Sequence, residues 1–187
     1  MSRPFAEGLG SSQRALADAV SEIERHVSRG GWDGPIRVFA LIKTQDAIAT
    51  DPELAAQLPA QTVAAAQEDP EHLTSVEQED LPDAPSLEEL LAYITWPASV
   101  VGCAVVTEQL ILPPSAEAGI PDDPAAALQY VTTHPDREDV RMAVGTTRAG
   151  DSWCAVRTRS NDDDLEVAHG AELVPQLILA VRGTLEP

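Results

Sequence analysis

Residues 139–148 and 152–160 form two runs of alternating side chains around Ala149-Gly150-Asp151, a pattern that fits an antiparallel ribbon. Val140, Met142, Val144 and Thr146 share one face of the first run, and Cys154, Val156 and Thr158 share one face of the second. These sets lie on the same side of the ribbon only if the loop has an odd number of residues, because a one-residue slip turns every side chain over. The spacing predicts a three-residue loop at Ala149-Gly150-Asp151, with a residue such as Thr146 opposite Cys154. The other face then collects Arg141, Ala143, Gly145, Thr147, Trp153, Ala155, Arg157 and Arg159.

A hairpin near the C-terminus is incompatible with an all-parallel sheet, and the other elements are mixed. Residues 1–10 are expected to be a flexible leader, and residues 11–187 a single domain. Ser11 or Ser12 can cap a helix to about Ser28, with Leu16, Val20, Ile23 and Val27 on one stripe and Gly30-Gly31 as the stop. Ile36 to Ile42 is almost continuously apolar and reads as a buried strand. Asp51-Pro52 and the Ala-rich Leu58–Gln67 stretch predict short helices. His72 to Glu79 is read as an edge strand within an acid- and Pro-rich segment. Ser86-Leu87-Glu88-Glu89 is a capping box whose helix ends at Pro97. Val100 to Leu112 is a strand, and Asp123-Pro124 opens a helix to about Thr133 with Leu128 and Val131 inward. The last helix is expected from about Ala171 to Leu185, with Val174, Ile178, Val181 and Leu185 inward and Pro175 in its first turn. The expected fold is α+β: a mixed four- or five-stranded sheet with a C-terminal β-hairpin, covered by N- and C-terminal helices.

With 187 residues the chain is long enough to bury a substantial core, and aromatic residues at only 4% leave that core to Leu, Val, Ile and Ala. Its net charge of -19 repels nucleic-acid phosphates and anionic lipid heads, so neither nucleic acid nor a membrane is an expected partner. A neutral or basic protein partner suits that charge better. The N-terminal residues lack the apolar core of a signal peptide and no apolar run spans a bilayer, so a cytoplasmic location is expected. Cys103 and Cys154 both lie in apolar strand-like runs, as buried thiols do, although a disulfide between adjacent strands is also compatible with the sequence.

Phosphate-binding, zinc-binding and nucleophile-elbow motifs are absent, so no catalytic residue, metal or cofactor is assigned. The sole lysine, Lys43, follows the first strand without a neighbourhood that would activate it. His134, Asp136 and Glu138 could do acid/base work or hold a metal, but His-Pro-Asp is also a common way to end a helix. His26, His72, His169 and Asp162-Asp163-Asp164 read as solvated positions. The distribution of charge is less ordinary. Seventeen acidic residues and no basic one lie between Thr44 and Asp136, and five of the 12 basic residues follow between Arg137 and Arg159. Either those arginines pair with the acidic surface within the fold, or a helix covers the Ala/Gly/Ala face, or the ribbon is a docking face, since Trp and Arg are favoured interface anchors. The candidate binding residues are Arg141, Trp153, Arg157 and Arg159, with Trp32 and Trp96.

Several stretches carry a family resemblance: Ala-Val-Ser-Glu-Ile-Glu-Arg-His-Val, Gly-Trp-Asp-Gly-Pro-Ile-Arg-Val-Phe-Ala-Leu, His-Leu-Thr-Ser-Val-Glu-Gln-Glu-Asp-Leu-Pro, Ile-Thr-Trp-Pro with Val-Val-Gly-Cys-Ala-Val-Val, and His-Pro-Asp-Arg-Glu-Asp-Val-Arg-Met. From residue 15 onward the chain resembles a conserved, uncharacterised family of short acidic actinobacterial proteins. The resemblance implies no reaction and no cofactor. In charge and element order the chain is also loosely similar to small secretion-chaperone-like proteins, an analogy of shape alone. The expected function is non-enzymatic partner binding or a chaperone-like role. The alternatives are a small metal-dependent or acid/base enzyme using His134, Asp136 and Glu138, and a structural homodimer pairing through a sheet edge or the last helix.

Overall fold

The computed structural model describes residues 8–186. Residues 1–7 of the expected leader lie outside the described residues. The first helix, α1 (Ser11–Ser28), has Gly10 at its N-cap with no side-chain cap bond, and buries Leu16, Val20, Ile23 and Val27. Six strands follow: β1 (Arg37–Lys43), β2 (Leu73–Glu77), β3 (Gly102–Ile111), β4 (Glu138–Thr147), β5 (Ser152–Thr158) and β6 (Ala168–Gly170). Between β1 and β2 lie α2 (Thr44–Thr50), α3 (Leu54–Gln57) and α4 (Ala60–Glu68); α5 (Leu87–Ala92) joins β2 to β3. Two helices, α6 (Pro114–Glu117) and α7 (Pro124–Thr133), join β3 to β4, and α8 (Pro175–Gly183) follows β6.

The α+β class is as the element order implied, but the sheet has six strands, in the order β2-β1-β3-β4-β5-β6, and every pairing is antiparallel. The sheet is therefore not the mixed one expected from the sequence but wholly antiparallel: β2 and β3 run the same way yet are separated by β1, and the chain between them carries α5 over one face. The sixth strand, three residues long, falls in the expected loop just before the last helix. Chain preceding Pro175 therefore extends, and α8 is shorter than expected, with Pro175 at its first position.

The hairpin has the three-residue loop that the alternation requires, displaced by one residue. Thr147 faces Asp151, Val144 faces Cys154, and Arg148-Ala149-Gly150 form the turn. Gly150 sits at φ 97°, the left-handed position that closes such a loop. The displacement preserves parity, so both aliphatic sets share a face as expected. Val38, Cys103, Val105, Val140, Met142, Val144 and Cys154 meet Leu90 and Leu91 of α5 and Leu177, Ile178 and Val181 of α8. On the opposite face, Phe39, Leu41, Ala104, Val106, Ala143, Trp153 and Ala155 meet α1. The molecule is thus helix, sheet, helices in three layers.

Two further expectations change. Leu128 is 67% exposed, because α7 lies at the rim of the sheet and buries none of its own residues. Cys103 and Cys154 are free, on β3 and β5 with β4 between them, so they are not on adjacent strands.

Candidate functional site

The ribbon face proposed for docking is covered by α1. Ala143, Gly145 and Ala155 are small enough for a helix to lie directly on them, and α1 supplies the stripe that does so. Trp153 is 5% exposed and part of this core, with its indole Nε1 buried and unpartnered. Arg157 is 3% exposed, and its guanidinium donates to both carboxylate oxygens of Glu24 on α1, at 2.6 and 2.9 Å. Glu24 lies next to Ile23, four residues after Val20, so it flanks the apolar stripe; that position was the available sign of an inward acid. Arg157 also reaches Asp162 at 3.1 Å and Asp164 at 2.6 Å, which explains the acidic run after β5.

Arg141 is fully buried. It donates to Glu108 at 2.8 and 3.1 Å and to the carbonyl of Gly31, and its guanidinium carbon lies 4.4 Å from the Trp32 ring centre. The Trp32 indole donates to Asp162 at 2.9 Å, and Arg159 lies 5.6 Å from the same ring. Asp33 adopts φ 66°, a left-handed conformation that Asp tolerates. There its amide donates to Glu108 at 2.6 Å and its carboxylate holds Arg159 at 2.9 and 3.0 Å. Trp32, Arg141, Arg157 and Arg159 therefore form one network that fixes the turn after α1 to the end of the ribbon. Burial removes Arg141, Trp153 and Arg157 from any contact surface; Arg159 alone of the four ribbon candidates stays exposed.

The network makes stability depend on acid. Hydrogen bonds from Trp32 and then Arg157 hold Asp162 below the usual carboxylate range, Arg157 does the same to Asp164, Arg37 to Glu77 and Arg159 to Asp33. Each folded value lies below its unfolded one. The stabilisation is therefore complete above the unfolded value of about 4 and is lost as pH falls through the lower folded values. A thermal melt series is expected to show Tm falling below about pH 4; a Tm constant from about pH 5 to about pH 2 would contradict it.

Trp96 is half-buried and lies beside the turn of the ribbon, away from the Arg141–Arg157 network. Its indole donates to Thr184 at 3.0 Å and its carbonyl accepts from Arg148 at 3.2 Å, tying the chain after α5 to α8. His134, Asp136 and Glu138 do not converge. His134 Nδ1 accepts from the Asp136 amide at 3.1 Å, and Glu138 accepts from the amide and hydroxyl of Ser160 at 3.1 and 2.6 Å. Each thus serves its own turn. Burial pushes both thiols up, Cys103 and Cys154 alike, so neither is a ready nucleophile. No three His, Cys, Asp or Glu side chains among the described residues are grouped to hold a metal ion.

One open border of the sheet lies along β2. The Gln78 amide donates to Val38 and the Thr44 amide to His72, so alternate residues between them, Thr74 and Val76, turn their backbone groups toward β1. The backbone groups of Leu73, Ser75 and Glu77 face outward. A cleft of about 530 Å³ runs along the α1 side of this edge, between Ile23, His26, Arg29, Phe39 and Ser75. One of about 550 Å³ runs along the other side, between Val76, Gln78, Glu79, Asp80, Tyr93 and Trp96. Tyr93 is 70% exposed and Val76 43%.

No curated protein and no solved structure matches the chain. The family model described as PPA1309-like protein matches residues 16–186. That span takes in every strand, the α1–ribbon network and the β2 edge, and the chain belongs to the PPA1309-like protein family.

Proposed function

We propose that the protein is a non-catalytic partner-binding protein, chaperone-like in that it holds another chain, and that the bound surface of its partner is basic. The observation that carries this reading is that five of its twelve Lys and Arg residues are engaged internally by carboxylates. Arg37, Lys43, Arg141, Arg157 and Arg159 all pair with carboxylates of the same chain, at 2.5 to 3.0 Å. The net charge of -19 is thereby displayed by acids such as Glu79, Asp80, Glu88 and Glu89, exposed and with few cations beside them. A field of that sign speeds encounter with basic surfaces and disfavours acidic ones. The dispersal of His134, Asp136 and Glu138 favours binding over acid/base chemistry there.

Cross-linking in the native cell, followed by purification, tests the reading. The expected contact segments of the partner are net positive, and the purified complex weakens at least tenfold between about 0.05 M and about 0.5 M salt. Association with a net-negative segment, or one indifferent to salt, would overturn it.

A further inference from the structure

β2 borders the sheet, with one side of its backbone facing away from β1. Edge strands that stay free are usually blunted, by bulges, inward charges or a covering loop. β2 is short, but β1 and α1 are its main packing neighbours, and its outward backbone groups at Leu73, Ser75 and Glu77 have no hydrogen-bond partner among the described residues. An added strand would send successive side chains to opposite faces. Here each face has a cleft beside the edge. Toward α1 the cleft is lined by Ile23, Phe39 and Ser75 together with Glu22, Arg25, His26, Arg29 and Glu77, and Glu77 is already held by Arg37. Toward α5 the cleft carries Glu79 and Asp80 without a cation, beside the rings of Tyr93 and Trp96.

Resting on the reading above, we propose that β2 is a strand-addition site for an extended segment of a partner protein. That segment alternates Lys or Arg, entering the α5-side cleft, with aliphatic residues entering the α1-side cleft. Main-chain hydrogen bonds to Leu73, Ser75 and Glu77 supply affinity, and the two clefts read the alternation. Carboxylates and aromatic faces together suit a cationic side chain. A second copy of the chain fits poorly, since two bodies of charge -19 would meet along this edge.

The test uses a blocked heptapeptide, Val-Lys-Val-Lys-Val-Lys-Val, titrated into the full chain by calorimetry. A second peptide of the same sequence, with alternate amides N-methylated along one edge, keeps the charge but cannot pair. The first is expected to bind and to slow hydrogen exchange at Ser75, and the second to bind at least tenfold more weakly. Ser75→Pro removes only an outward amide, which edge strands tolerate, and is expected to abolish binding while keeping the native melt. Asp80→Asn with Glu79→Gln is expected to weaken binding several-fold. No binding by the unmethylated peptide, or equal binding by both peptides, overturns the proposal even if Ser75→Pro does not fold. Sedimentation showing a dimer that Ser75→Pro dissociates would give the edge to a second copy and overturn it too. If the edge fails while a basic partner still cross-links in a salt-dependent way, the docking surface lies elsewhere and the wider reading stands.

Discussion

Arg157→Ala is expected to destabilise the protein by about 3–5 kcal/mol, because it leaves the Glu24 carboxyl, 3% exposed, without its bidentate partner. Truncating the other member is expected to cost less. In Glu24→Gln the arginine keeps Asp162 and Asp164, both near the surface, so a loss of about 1–2 kcal/mol follows. Replacing both by hydrophobic residues of similar volume, Glu24→Leu with Arg157→Met, is expected to recover most of the loss, since neither charge then has to be desolvated. Urea denaturation of the four proteins measures this. Equal costs for the two single variants would mean that the pair is not the centre of the network. A double variant no better than Arg157→Ala would mean that packing, not charge burial, sets the penalty.

Gly145→Ala is expected to cost about 1–3 kcal/mol, although both residues are small and apolar. A Cβ at that position would lie 2.5 Å from Val20 Cγ2 and 3.0 Å from Leu16 Cδ1, both on fully buried side chains of α1. Val20 cannot easily turn aside, because a β-branched side chain in a helix has one favoured rotamer. Either the helix moves off the sheet or the side chains strain. Val20→Ala makes room, so its cost should be smaller in the Gly145→Ala background than in the native protein, and a double-mutant cycle gives the coupling directly. Gly145→Ala within about 0.5 kcal/mol of native would mean that α1 does not approach β4 this closely.

These two positions show why the alternation of the ribbon is compatible with a docking face where the protein has an interior. Alternation sorts side chains onto faces but says nothing of what lies above each face. The Arg/Trp face satisfied both of its sequence readings, an interface or a helix-covered surface. The choice between them turned on Glu24, an acid beside an apolar stripe 133 residues away, and on Trp32 and Asp33 in the turn that follows α1. Trp96 meets the ribbon only at its turn, through the bond from Arg148 to its carbonyl. The β2 edge was legible as a strand, yet its position at the border of the sheet was not, because strand order depends on which long-range pairings form.

The sequence alone determined the hairpin's parity, the burial of its aliphatic face, the capped starts of α5 and α7 and the inward stripe of α1, because each is fixed by side-chain period or by hydrogen bonds within a few residues. Only the tertiary structure decided the six-stranded antiparallel order, the covering of the arginines by α1 and the two clefts beside an open edge. Those depend on contacts between segments far apart in the chain, where many pairings satisfy the same local pattern and total burial selects among them.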